Sequence, residues 1–310
     1  MPRIKINNNG GPSIFDYLDK IESTPVQEPQ KLFFISFGSG SSGNCEYLGD
    51  KNQGVLIDAG IKPENVVPVL KRYGISMSCI KAILLTHDHA DHVRYAYKFV
   101  KKYPHIAVIC TPKCLSGIFL RHSLTPRLRD YHRPIFIETP ITVGNFKVTA
   151  FTTLHDSKDS VGFYIEVEGI KFAIATDLGR ISDRVDYYLR QANYIMLESN
   201  YDEYMLTHGK YPLHLQARIM NETGHLDNKA AAAYIAQIYT AKLSHVFLCH
   251  LSHDNNTQEI ALEEMHKALT AAGITMGDAS ESLESRDADL QVFALPRFDP
   301  SPLFVLEPKE

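Results

Sequence analysis

The chain has 310 residues and a formal net charge of -4, with 44% apolar and 22% charged side chains, the proportions of a globular protein long enough to bury a substantial core. Its acidic balance excludes a global attraction to polyanions, so any nucleic-acid contact must come from a local patch. No apolar run reaches the length of a membrane span, and an odd set of cysteines (Cys45, Cys79, Cys110, Cys114, Cys249) set beside apolar residues argues for core thiols over a disulfide framework.

The opening Met1-Pro2-Arg3-Ile4-Lys5 carries no apolar signal segment, so a cytoplasmic protein is expected. Residues 1–30 read as a flexible leader with a short helix around 14–21. An apolar run over 32–37 then predicts a buried strand leading into Gly38-Ser39-Gly40-Ser41-Ser42-Gly43-Asn44. Strands over 45–48 and 55–57 follow, the second ending at Asp58-Ala59-Gly60. The Gly/Ser loop lacks the lysine and the following helix of a P-loop; a hairpin turn and an anion cradle of backbone N–H groups both stay open. Asp58, at a strand end, reads as an acceptor that orients a ligand imidazole.

After a helix over 63–73, a strand over 80–85 runs into Thr86-His87-Asp88-His89-Ala90-Asp91-His92. Imidazole and carboxylate together suit zinc, manganese or iron(II), and alternating ligands between a strand and a helix can serve two ions. His87 and His89 would share one, and Asp91 and His92 would turn toward another. The competing reading, a polar turn in which Asp88 or Asp91 caps the helix, explains one oxygen and none of the three imidazoles. The helix expected next carries Val93, Ala96, Tyr97 and Val100 on one face, with Arg94, Lys98, Lys101 and Lys102 outside.

Residues 121–133 hold Arg121, His122, Arg127, Arg129, His132 and Arg133 against a single acid, Asp130, as either a solvated face or a phosphate-contacting patch. Strands over 135–137, 146–151, 161–167 and 171–175 predict a second sheet, with His155-Asp156 just past one strand and Thr176-Asp177 ending another. A strand over 194–197 terminates at Glu198. Beyond Gly224-His225-Leu226, Asp227 or Asn228 caps an Ala-rich helix running to about 239. A strand over 245–249 ends at His250, and the last helix places Ala261, Met265, Ala268 and Ala272 on one face. The acidic stretch 278–289 reads as mobile, and 291–295 with 303–306 as a terminal hairpin. Buried strands alternating with amphipathic helices indicate an α/β layered fold, divided into the leader, a catalytic domain over 31–276 and a tail over 277–310.

The motif His87-x-His89-x-Asp91-His92 resembles the signature of metallo-β-lactamase-fold hydrolases. That resemblance implies an αββα sandwich of two mixed β-sheets with helices on both outer faces. It also implies a ligand set: His87, His89 and His155 on one divalent cation, Asp91, His92 and His250 on a second, and Asp177 bridging. His253 competes with His250, but His250 directly follows the apolar strand. Two cations, zinc or manganese with iron as a third option, lower the pKa of a shared water from about 15.7 to about 7 and make a serine or cysteine nucleophile unnecessary. Flavodiiron-type relatives have Glu in the place of His89, which favours hydrolysis over oxygen chemistry.

Glu198 and His225 resemble the proton shuttle of tRNase Z-like nucleases, and with Asp91 they are the expected catalytic residues. A departing alkoxide needs a proton that a Glu-oriented imidazolium can give; the plain alternative is a strand-end salt bridge and a satisfied turn histidine. Over residues 37–273 the chain resembles the WalJ/YycJ/VicX family. The resemblance rests on the Gly/Ser loop, residues 86–92, Glu198-Ser199-Asn200-Tyr201-Asp202, Gly209-Lys210-Tyr211-Pro212, Gly224-His225 and His250-Leu251-Ser252-x-Asp254-Asn255-Asn256. It implies a two-metal nuclease with a nucleic-acid partner, a 5′-to-3′ exonuclease on DNA. Val93-Arg94 stands where many superfamily members have glycine soon after the motif. Two rival functions remain: a hydrolase of a thioester, lactam or other small molecule, and a non-catalytic regulatory module with a structural metal.

Overall fold

The computed structural model describes residues 31–122, 126–279 and 287–308; the expected leader and most of the acidic stretch lie outside them. Fifteen strands and nine α-helices follow in chain order among the described residues. The first half comprises β1 (Leu32–Ser36), β2 (Glu46–Gly49), β3 (Gly54–Ile57), α1 (Pro63–Arg72), β4 (Ile80–Leu84), α2 (Ala90–Val93), α3 (Ala96–Lys102), β5 (Ala107–Cys110), α4 (Pro112–Arg121), β6 (His132–Pro134), β7 (Ile141–Val143) and β8 (Phe146–Thr152). The second comprises β9 (Val161–Val167), β10 (Ile170–Ala175), α5 (Asp183–Leu189), β11 (Tyr194–Glu198), α6 (Glu203–His208), α7 (Leu213–Ile219), α8 (Asn228–Ile238), β12 (His245–Cys249), α9 (Gln258–Ala271), β13 (Met276–Asp278), β14 (Leu290–Ala294) and β15 (Phe304–Leu306).

The strands form a seven-stranded sheet, β15-β1-β2-β3-β4-β5-β6, and an eight-stranded sheet, β13-β14-β12-β11-β10-β9-β8-β7. Both mix parallel and antiparallel pairs. Because side chains alternate along a strand, each sheet presents two apolar faces. Phe34, Leu84, Phe172 and Phe247 point into the core between the sheets. Ile35, Ile83 and Val108 face α1, α3 and α4 through Val66, Leu70, Phe99 and Ile118, while Ala173, Ile195 and Val246 face α5, α8 and α9 through Val185, Ile235 and Met265. The result is the expected order of helices, sheet, sheet and helices. Phe34 sits 4.5 Å from Phe247 and 5.1 Å from Phe172 between ring centroids, packing the two sheets against each other.

Strands β3 and β4 run parallel, as do β10, β11 and β12. β8 shares the direction of β10, since each is antiparallel to β9. The C-terminal ends of one set of strands therefore collect at one edge, the place where open α/β sheets bind ligands.

Three expectations are corrected. The continuous helix after the motif is broken into α2 and α3, because the Tyr95 amide leaves the helix to donate to the Ala59 carbonyl at 2.9 Å. The strand expected over 135–137 is absent: β6 lies earlier and in the first sheet, and Phe136 is exposed. The terminal hairpin does not form either. β14 pairs parallel with β12 in one sheet, and β15 pairs antiparallel with β1 in the other, where Phe304 joins the aromatic core. All five cysteines are free and buried, as core thiols.

Candidate active site

The opening motif leaves β4 under tight backbone control. The Thr86 amide and hydroxyl both donate to the Asp58 carboxylate, at 2.8 and 2.9 Å. Asp58 Oδ2 in turn lies 2.7 Å from His92 Nδ1. An ionised carboxylate only accepts, so His92 carries its proton on Nδ1 and turns Nε2 toward Asp177 Oδ2 at 3.3 Å and Asp91 Oδ2 at 3.5 Å. This is the orienting role expected of Asp58. The turn around Asp91 is pinned by the Asn44 amide on the Asp91 carbonyl at 2.8 Å. Gly60 is required beside it: a Cβ there would stand 1.6 Å from the Asp91 carbonyl oxygen.

The other expected residues arrive from strand ends. His155 follows β8, and its Nδ1 donates to the Gly224 carbonyl at 3.1 Å, which leaves Nε2 facing His89 Nδ1 at 3.2 Å. Asp177 follows β10 and His250 follows β12, both in the left-handed region with φ of 52° and 53°. Asp177 Oδ1 lies 3.7 Å from His155 Nε2 and 3.5 Å from His250 Nε2. It thus stands between two groups whose donor atoms lie within 4.8 Å of one another, His87 with His89 and His155, and Asp91 with His92 and His250. The competitor His253 is exposed and pairs with Asp254 instead.

Whether a cation fits is decided by buried polar atoms left without a hydrogen bond. His87 Nε2 and His250 Nε2 are buried without a hydrogen bond, a costly state for polar atoms that coordination would relieve. Burial pushes the His87 imidazole well below its ordinary pKa, and His92 adds to the effect, so His87 is held in the neutral, ligating form. Burial pushes Asp177 up, but the surrounding imidazoles, His250 and then His92 foremost, outweigh it and hold the carboxyl well below the usual range. A neutral imidazole and an ionised carboxylate are what divalent ions bind.

Glu198, at the end of β11, is fully buried. Its Oε2 accepts from the Leu178 amide at 2.8 Å and the Leu226 amide at 3.2 Å; its Oε1 takes His225 Nδ1 at 2.7 Å and His250 Nδ1 at 3.1 Å. Both oxygens are engaged, which suits orienting imidazoles rather than ligation. Burial alone would lower the pKa of His225, but the Glu198 carboxylate overrides it and raises the imidazole above its usual value. His225 also lies 3.9 Å from Asp177. It lines an open cavity of about 270 Å³ together with His89, Asp91, Asp177, Tyr211 and Arg218.

Several neighbours escaped the sequence reading. Asp88, fully buried, binds the Lys158 amide at 3.1 Å and the Arg121 guanidinium at 3.0 Å, tying the His155 loop to the motif. The supposed basic patch is therefore partly turned inward: Arg121 and His122 brace the Asp88 segment, and Arg129 stacks on Phe119. Asp156 Oδ2 is held by Arg218 at 2.6 and 2.8 Å, while its Oδ1 stands 3.6 Å from His155 Nε2 and 3.7 Å from His89 Nε2. Asn44 Nδ2 approaches His92 Nε2 at 3.0 Å, and the Ser39 hydroxyl accepts from the His250 amide at 3.0 Å. The Gly/Ser loop thus braces the site, and its glycine-and-serine composition was the available signal.

Residues 53–250 match the family described as "Beta-lactamase superfamily domain". The chain belongs to the β-lactamase superfamily. Within it, the chain is 30% identical over 250 residues to exodeoxyribonuclease YycJ of Bacillus anthracis, covering 81% of this chain and 94% of that one. It is 28% identical over 240 residues to exodeoxyribonuclease WalJ of Streptococcus pneumoniae, covering 77% and 88%. Among solved structures, the metallo-β-lactamase-fold protein YhfI of Bacillus subtilis superposes with a TM-score of 0.61 at 12% identity, over 89% of this chain and 100% of that one, which shows the shared fold. This superfamily member is a hydrolase with the metallo-β-lactamase fold. The fold implies divalent metal ions, and the imidazole and carboxylate clusters stand where they would be held.

Proposed function

We propose that the protein is a metal-dependent phosphodiesterase of nucleic acid, a 5′-to-3′ exonuclease on DNA. In this reading His87, His89 and His155 would hold one divalent cation and Asp91, His92 and His250 a second, with Asp177 placed to serve both, zinc or manganese being the native metal and iron the third option. A cytoplasmic location belongs to the same proposal. The observation that carries it is the Glu198–His225 contact of 2.7 Å, beside Asp177 and on the wall of the open cavity.

Bound cations would activate a water at neutral pH and neutralise charge growing on the phosphoryl oxygens. The chain's own residues do the rest. Asp58, Glu198 and the Gly224 carbonyl fix the Nδ1–H tautomers of His92, His250 and His155, so that each ring presents Nε2. Glu198 stabilises the imidazolium of His225, whose Nε2 proton passes to the departing oxygen of the sugar. A thioester hydrolase has less need of such a donor, because a thiolate departs without a proton, and the exodeoxyribonuclease relatives YycJ and WalJ support the nucleic-acid reading over a small-molecule one.

The test compares leaving groups. Activity of His225→Ala on single-stranded DNA is expected to fall roughly 10²–10⁴-fold, the usual contribution of a positioned acid. Turnover of bis(p-nitrophenyl) phosphate, whose leaving group departs without a proton, should change little. Equal losses on both substrates would contradict the assignment. End-labelled single- and double-stranded DNA and RNA, given to the metal-reconstituted protein, report substrate and direction; a wild-type protein that leaves all four intact overturns the nuclease reading.

A further inference from the structure

Next to the catalytic cavity lies a second one of about 280 Å³, and Ser252 lines both. Its wall carries Arg297 and Phe298, from the segment that links β14 to β15. The Ser39 amide donates to the Pro296 carbonyl at 3.0 Å, docking this segment on the Gly/Ser loop. The Arg297 guanidinium donates to the Leu251 carbonyl, to the Ser41 hydroxyl at 3.2 Å and to the Ser42 hydroxyl at 3.5 Å. It lies so close over Gly40 that a Cβ there would be 2.8 Å from Nη1.

All three partners are neutral. Glu259 and Asp299 line the same cavity, yet among the described residues no carboxylate comes within ion-pair distance of this guanidinium. A half-buried cation has shed part of its hydration, and neutral oxygens replace it incompletely. Phosphate matches a guanidinium in charge and in donor geometry. Ser41 also lines the catalytic cavity, so a phosphate held here would border the site of attack. Beside it the Phe298 ring is 61% exposed, with the guanidinium 5.3 Å from its centroid and His253 at 5.9 Å, an open face on which a base can stack.

We propose that Arg297, Ser41 and Ser42 form a subsite for the substrate phosphate adjacent to the one cleaved, with Phe298 as the stacking platform for its base. The subsite rests on the nucleic-acid reading above and adds to it a means of holding the strand.

Two substrates separate the possibilities: a short single-stranded DNA with many phosphates, and bis(p-nitrophenyl) phosphate with one. In the metal-loaded full-length protein, Arg297→Gln should raise KM for the DNA about tenfold with kcat nearly unchanged, and Phe298→Ala should raise it less. Arg297→Lys, which keeps the charge, should recover part of the loss. The slope of log affinity against log salt should fall by about 0.7 in Arg297→Gln, the share of one single-strand phosphate contact. All three variants should turn over bis(p-nitrophenyl) phosphate as the wild type does. An unchanged KM for DNA overturns the subsite while the nuclease reading stands. Equal losses on both substrates also overturn it, since Arg297 would then merely brace the loop. A wild type that cleaves bis(p-nitrophenyl) phosphate but no nucleic acid removes the nuclease reading and the subsite with it.

Discussion

Asp58, Asp177 and His250 each end a strand with φ between 52° and 58°, a conformation that costs a non-glycine residue of order 1–3 kcal/mol. The cost is borne where a side chain must turn sharply back toward the sheet edge, and all three side chains reach the same cluster of imidazoles. Asp58 shows what the turn achieves, since its carboxylate fixes both the Thr86 backbone and the His92 tautomer. Asp58→Asn keeps the shape but can present an N–H to His92 Nδ1. Metal affinity is expected to fall roughly 10- to 100-fold, the usual effect of losing a partner that orients a ligand, and competition with a chromophoric chelator measures it; unchanged affinity would contradict the role. The 86–92 motif was legible because three imidazoles in one short turn have no other economical explanation. His155, Asp177 and His250 are single residues at strand ends and became candidates only through the family resemblance. Asn44, Asp88 and Asp156 stood only as a loop end, a candidate helix cap and a neighbour of His155, because a lone polar residue in a turn looks the same whether it braces a ligand or faces water.

The site depends on how closely two turns approach, 58–60 and 91–95. The Ala59 amide reaches the His92 carbonyl at 2.6 Å, and the Tyr95 amide returns to the Ala59 carbonyl at 2.9 Å. This exchange breaks the helix between α2 and α3, and a helical pattern in the sequence carries no trace of a break caused by a segment some thirty-five residues earlier. Gly60→Ala would drive a methyl into the Asp91 carbonyl oxygen, and because that oxygen is backbone the turns must separate. The variant is expected to lose at least about 2 kcal/mol of stability and to bind the second cation poorly, by denaturant unfolding and metal analysis respectively. A native Tm with full metal content would sink this account of the turn.

At the largest scale the described residues form two sheets joined face to face by aromatic rings, with helices outside. Strand and helix periodicity made the layers readable, since Phe34 and Ile35, adjacent in sequence, bury on opposite faces of one sheet. The last strands were misread as a hairpin because β14 and β15 are short and their partners, β12 and β1, lie far away in sequence. Phe34→Ala should destabilise the fold by about 3–5 kcal/mol through lost burial and the cavity left between the sheets, read as a shift in denaturant midpoint. Breaking the exposed Lys98–Glu64 pair, by contrast, should leave the denaturant midpoint nearly unchanged.

The central claim is that side chains from the ends of β4, β8, β10 and β12 and from α2 are assembled to hold a pair of divalent cations. Anomalous diffraction at the manganese or zinc edge, from crystals of metal-loaded protein, tests it most directly. The account predicts two peaks, one among His87, His89 and His155 and the other among Asp91, His92 and His250, with Asp177 touching both. A single ion, or peaks away from Asp177, would contradict it.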